Sequence, residues 1–235
     1  MPTVKRSKYH HGDLRKTLID VSVDVIDKQG IEALNLRGLA LLAGVSSGAP
    51  YHHFADRCEL LAAIAQEGFE ALETAMVCEG AAAVGGTSER LEALGRAYVL
   101  FATSHRGHFR VMFRGDTHGG ADEALKNSGD RAFQLLCEAI EACQKAGTAP
   151  LGDPQPLVLH AWATVHGLAT LCVDSSLSKI GIAPEQLAPM ITSLTSQMFS
   201  SLARTRASTV AKIKQPGGAR KPRPLKSPSR MQKTS

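Results

Sequence analysis

Long apolar runs are missing from this 235-residue chain. No stretch of about 18 consecutive apolar residues could span a bilayer, and residues 1–8 are basic without the apolar core of a secretory signal. The expectation is a cytoplasmic protein with no membrane partner. Aromatic residues are scarce, 5 % against 43 % hydrophobic residues overall, a balance that suits packed helices rich in alanine and leucine. Strand-like alternation and internal repeats are also missing, so the fold class expected is all-α, with about nine helices. There is no phosphate-cradling glycine loop and no nucleophile motif. Catalysis is not expected, and no cofactor is implied. The five cysteines are odd in number and fit no zinc spacing, which favours reduced core thiols over a redox switch. The pairs His10-His11 and His52-His53 cannot both face one metal from a regular helix, and His105 and His108 lack a carboxylate at a recognisable spacing. No metal site is assigned, although metal sensing through the histidines stands as a rival to an organic ligand.

Acidic residues are absent from the end of the chain. Residues 204–235 hold ten Lys/Arg and no Asp/Glu, residues 61–203 hold nine against fifteen, and residues 1–60 hold eight against seven. The middle is therefore a poor nucleic-acid surface. The tail, 205–235, is broken by Pro216, Pro222, Pro224 and Pro228 and has too little apolar surface to fold alone. It either adds salt-sensitive, sequence-independent affinity for DNA or is a solvated extension. The basic arm at 5–8 leads directly into the first helix and is better placed for phosphates.

The most informative stretch runs from Asn35 to Phe54. Leu36, Leu39, Ala40 and Ala43 form one inward stripe at helical spacing, Gly44 can end that helix in the left-handed region, and Ser46 can cap a second helix. Val45 can pin the two together. The second helix is short, from about 47 to 53, and its outward positions Ser47, Gly48, Ala49, Tyr51 and His52 are small or hydrogen-bonding. Pro50 falls early enough in it to cost little. Phe54 turns back to the core, and Asp56 caps the next helix with Arg57 in its first turn. By outline alone this is either a DNA-reading helix-turn-helix or an ordinary helical hairpin. Gly38 weakens the first helix by about 1 kcal/mol relative to alanine. Leu41 and Leu42 either pack beneath another helix or make an apolar surface.

Residues 9–69 resemble the DNA-binding domain of the TetR family of bacterial regulators. The resemblance is carried by Tyr9-His10-His11-Gly12-Asp13-Leu14-Arg15, Gly30, Gly44-Val45-Ser46 and Tyr51-His52-His53-Phe54. It implies that Asn35 caps the second helix and touches a phosphate and that Arg37 reaches a base or phosphate. It further implies that Ser47, Gly48, Ala49, Tyr51 and His52 face the groove, with Tyr51 on a phosphate. His53 matches the histidine before the aromatic anchor, and Arg57 stands where a lysine is usual.

The rest of the chain also reads as helical: 12–28 before the motif, 58–78 leading out of it, then 88–104, 121–146, 157–177 and 184–204, with an apolar turn at 107–113. Leu14, Leu18, Val21 and Val25 mark the inner face of the first helix, and Leu91, Leu94, Tyr98 and Phe101 that of 88–104. Residues 70–204 resemble, less specifically, the ligand-binding domain of TetR relatives with a Trp-x-x-x-His-Gly signature, here Trp162 to Gly167. Trp162 and His166 share a helix face, and Gly167 would admit a neighbouring helix. Trp162, His166, Tyr98, Phe109, Met112 and Phe113 are either walls of a small-molecule pocket or plain core and interface residues. The resemblance implies a homodimer through the last two long helices, a palindromic double-stranded operator, and release by a small-molecule inducer. Repression is the commoner outcome in the family and activation the other. A ligand-independent DNA binder is the further alternative.

Overall fold

A computed structural model describes residues 13–115, 123–177 and 181–214, with side chains placed to 205. The arm at 5–8, the motif residues Tyr9 to Gly12 and the tail beyond 214 lie outside the described residues. Eight α-helices and two short 3-10 turns, with no strand, make up the described residues, an all-α fold. Helix α1 spans Leu14–Gln29, α2 Leu36–Leu42, α3 Arg57–Ala82, α4 Thr87–Ser104, α5 Arg106–Met112, α6 Glu123–Lys145, α7 Gln155–Val173 and α8 Pro184–Lys214, with 3-10 turns at Ile31–Ala33 and Ala49–His52.

Two hydrophobic cores organise these helices. The first gathers Leu18, Ile26, Leu36, Leu39, Phe54 and Leu60 from α1, α2 and the start of α3. The second gathers Leu72, Leu91, Tyr98, Phe109, Ile140 and Phe199 from α3 to α8. Helix α4 lies at its centre, packed on α3, α6, α7 and α8. Helix α3 feeds both cores, with Leu60, Leu61 and Ile64 in the first and Leu72 and Met76 in the second. Helix α5 does the same in seven residues: Val111 is fully buried in the first core, while Phe109 and Met112 belong to the second.

Several elements depart from the sequence-based expectation. Residues 106–112 form a helix where an apolar turn was expected, because burial against α1 and α3 supplies what a glycine-containing, uncapped segment lacks. Helix α3 continues to Ala82 through Gly80, over which the Leu94 side chain closes. Helix α8 continues to Lys214, so the tail boundary expected at 204 falls inside a helix. Helix α7 is long and apolar enough to cross a bilayer by length and composition, although polar residues interrupt it, and 22 % of its apolar window is buried within the chain. Leu41 is 82 % and Leu42 57 % exposed, so they form an apolar surface. The single inward stripe of a two-turn helix leaves both on the outside. Only Cys143 is a core thiol; Cys58 and Cys78 are exposed, and all five cysteines are free.

Candidate DNA-reading surface and ligand cavity

The helix-turn-helix is built by backbone hydrogen bonds. The Asn35 side chain accepts from the Gly38 amide at 2.7 Å and so caps α2. At the other end Gly44 has φ +71°, the Gly44 amide donates to Leu41 O at 3.2 Å, and the Val45 amide donates to Ala40 O at 2.9 Å. Together these make a Schellman stop that satisfies the orphan carbonyls. Leu36, Leu39, Ala40 and Ala43 are buried, as is Phe54.

The second helix of the motif is not an α-helix. Pro50 has no amide to donate to Ser46 O, and its ring would crowd that carbonyl in α geometry. The Ala49 amide takes the carbonyl instead, at 3.0 Å, and the segment tightens into the 3-10 turn Ala49–His52. No side-chain hydrogen bond caps this turn, so Ser46 contributes its carbonyl there.

Of the residues expected at DNA, Asn35, Arg37, Ser47, Gly48, Tyr51 and His52 are exposed, and Ala49 and His53 are half-buried. Arg57 is placed differently. Its Nη2 donates to Ile31 O at 2.6 Å, and its Nε is buried without a partner. The guanidinium therefore staples α3 to the turn after α1, a tertiary partner that local sequence could not reveal.

A cavity of about 250 Å³ lies among α3, α4, α6, α7 and α8. Tyr98, Phe113 and Trp162, three of the candidates named from the sequence, lie along it. Met112 instead packs over Gly68 on α3, where an added Cβ would sit 2.7 Å from its Sδ. Phe109 and His166 line a second groove, beyond Phe113, that reaches Gly30, Ile31 and Glu32 in the first core's territory. Sequence reasoning missed the α6 wall, Gly129, Ala132, Phe133 and Leu136, which the three-and-four spacing on that helix could have revealed. It also missed Thr192 and Thr195 on α8.

The polar chemistry around the cavity is internally satisfied. The Tyr98 hydroxyl and His166 Nδ1 are 2.7 Å apart. Burial raises the Tyr98 pKa far above its ordinary value, against a hydrogen bond from Trp162, and burial lowers that of His166. The phenol therefore stays protonated beside a neutral imidazole, and the tautomer of the ring sets which of the two donates. Trp162 and His166 tilt at 48° with ring centroids 5.9 Å apart. Gly167 is exposed, and among the described residues nothing outside its own helix backbone comes within 4 Å of an added Cβ, so no other described helix packs on it.

Between cavity and DNA-reading unit stands α5. Arg110 Nη1 donates to Asp27 O at 2.8 Å and to Ile26 O at 3.2 Å, carbonyls of the last turn of α1, the second of which also accepts the Gly30 amide at 3.0 Å. Arg106 Nε lies 3.4 Å from Asp27 Oδ1, an ion pair without hydrogen-bond geometry. Gly107 lets the backbones meet, because a Cβ there would lie 2.5 Å from Val23 O. His108 Nε2 lies 3.2 Å from Glu67 Oε1, which also pairs with Lys16 at 3.3 Å. The histidine pair thus does have a carboxylate beside it, from a helix 41 residues away, although no group of three His, Cys, Asp or Glu suited to a metal occurs among the described residues.

The comparisons with known proteins agree in both halves of the chain. A family profile described as bacterial regulatory proteins, tetR family, matches residues 18–64, and one described as tetracyclin repressor-like, C-terminal domain, matches residues 91–197. A solved protein of unknown function from Rhodococcus sp. RHA1 is 33 % identical over 83 % of this chain and 100 % of its own, with a TM-score of 0.71. A bacterial regulatory protein in the tetR family from Rhodococcus RHA1 shares the fold at 21 % identity, covering 79 % of this chain and 96 % of that one, with a TM-score of 0.65. The TetR-family transcriptional regulator PfmR from Thermus thermophilus does so at 18 %, covering 77 % and 97 %, with a TM-score of 0.62. No curated protein sequence matches the chain. With a helix-turn-helix built on Asn35 and Gly44, a helical second core and these two profiles along its length, the chain belongs to the TetR family of transcriptional regulators.

Proposed function

We propose that this regulator is a cytoplasmic, homodimeric repressor that leaves a palindromic operator when a small molecule fills the cavity of its second core. The observation that carries this reading is the double membership of α5. Phe109 and Met112 are packed in the cavity-bearing core while Val111 is packed in the DNA-reading one, and Phe113, just beyond the helix, lines both the cavity and the groove towards Ile31. A ligand that moves Phe113 pulls on Arg110 and hence on the end of α1. Such a ligand shifts operator affinity only by its differential affinity for the two arrangements.

At DNA, we assign Ser47, Gly48, Ala49, Tyr51 and His52 to the major groove and its flanking phosphates, and Asn35, Arg37 and His53 to the backbone. Arg57 keeps a phosphate role only through the guanidinium nitrogen not bonded to Ile31. We assign the dimer interface to α7 and α8. Leu159, Ala163, Gly167 and Leu171 form one exposed, uncharged stripe on α7, and Met190, Leu194 and Leu202 are exposed on α8. Contiguous apolar surface of this kind marks an interaction face. On the Trp162, His166 and Gly167 series we assign the chain to the relatives that carry that signature.

Screening a metabolite panel for thermal stabilisation, and each hit for operator release, tests the reading. Stabilisers that release DNA support it. Release by zinc that a chelator reverses supports metal sensing, and a panel without stabilisers supports the ligand-independent alternative.

A further inference from the structure

We propose that the cavity selects an uncharged, predominantly apolar ligand and rejects an anion or cation with the same carbon skeleton. The inference deepens the ligand-responsive reading above and rests on it. The lining holds no Asp, Glu, Lys, Arg or His. Its polar side chains are already engaged: Thr192 Oγ1 donates to Ala188 O at 3.0 Å, Thr195 Oγ1 donates to Ile191 O at 3.1 Å, and the Tyr98 hydroxyl pairs with His166 Nδ1 at 2.7 Å and with the Trp162 side chain. The lining therefore offers a carboxylate no cationic side chain and an ammonium no anionic one. The nearest imidazole, His166, stands behind Phe113, with ring centroids 4.6 Å apart.

An ion moved into such a site loses its hydration without replacement, whereas apolar surface gains by leaving water. The volume bounds the size. A dry cavity of about 150 Å³ takes benzene, so about 250 Å³ admits a skeleton of roughly ten non-hydrogen atoms. Phe133, 43 % exposed and edge-on to Trp162 at 5.8 Å, marks the mouth.

Trp162 is the only tryptophan in the chain and lines the cavity, so its intrinsic fluorescence reports occupancy. The experiment titrates the full-length protein at neutral pH with octan-1-ol, octanoate and octylammonium, follows Trp162 emission and thermal midpoint, and then measures operator release. The expected result is a saturable response to octanol with affinity at least about tenfold above either ion. Gly129→Leu should abolish it, since a Cβ there meets Phe69 at an ordinary 3.7 Å and the added side chain fills the space. If that variant fails to fold, Leu136→Phe serves the same purpose. Octanoate or octylammonium binding as tightly as octanol overturns the selection while leaving ligand response standing. Octanol binding without any operator release leaves the selection standing and overturns ligand response. Silence from all three probes in both readouts overturns the inference.

Discussion

The Arg110 side chain, rooted in the helix beside the ligand cavity, donates to the Asp27 carbonyl at 2.8 Å at the end of the first helix of the DNA-reading unit. Phe109, next to it, is buried in the second core. A displacement on one side of α5 is therefore delivered to a backbone carbonyl on the other. If this is the connection, Arg110→Ala retains operator binding but loses most of the ligand effect on it, a coupling typically worth about 1–3 kcal/mol in such systems. Operator titrations with and without ligand measure it, and an undiminished ligand effect sends the coupling elsewhere.

Gly107 sets how closely α5 approaches α1. Alanine there would put its Cβ 2.5 Å from Val23 O, a backbone atom that cannot rotate away. Overpacking of this kind costs about 1–3 kcal/mol. Gly107→Ala should lower the urea midpoint accordingly, and an unchanged midpoint would show that the contact relaxes freely.

Tyr51 is 49 % exposed on the 3-10 turn. A hydrogen bond from its hydroxyl to a phosphate, as proposed, would be worth about 1.5–3 kcal/mol. Tyr51→Phe is expected to raise the operator Kd by about tenfold or more without altering the dimer. Equal affinity would remove Tyr51 from the interface.

Gly167 faces outward on α7 with open space around it. Gly167→Glu should leave the single chain folded, and even gain helix propensity, while burying an unpaired charge at the proposed two-fold contact. Sedimentation should show the dimer weakened by at least about a hundredfold. A dimer of undiminished stability would move the interface to another face.

Burial lowers the pKa of both His108 and His166 from the ordinary 6.5. At His108 the opposing influences are the Glu67 hydrogen bond and charge, while His105 and Lys16 reinforce the lowering. At His166 the packed groups are Tyr98, Phe109, Phe113 and Trp162. A histidine with a lowered folded pKa favours the neutral form. Its contribution is fully present above pH 6.5 and is lost as pH falls through that value towards the folded pKa. Thermal midpoints should therefore decline below pH 6.5, and His166→Phe should flatten the decline. An identical slope in the variant would assign the effect to other groups.

What was legible in the sequence was local. The Asn35 cap, the Gly44 stop and the buried stripe from Leu36 to Ala43 are set by residues a few positions apart. Tyr98 and Trp162 could be named from the sequence as large aromatics on helix faces, and Phe113 as part of an apolar segment, and all three lie along the cavity. What escaped depends on partners distant in the chain. Arg57 turns inward because Ile31 O is there to receive it. Helical spacing put His166 on an inner face, and the apolar run at 107–113 made Phe109 a candidate, but neither fixes a side of Phe113, and the structure puts both in the groove beyond it. Helix α5 has no cap to announce it, only two cores to hold it. The 3-10 form of the recognition segment was within reach, since Pro50 alone removes the amide that an α-turn would need.

The central claim is that the exposed surface around Tyr51 reads a specific DNA sequence. The most direct test is binding of the purified protein to its own upstream intergenic DNA at fixed, physiological salt with excess random competitor. We expect retention of one short palindromic fragment with Kd of about 10⁻⁸ M or tighter. Binding that random DNA abolishes as readily as operator DNA does would mean that only basic segments touch the phosphates, and would contradict it.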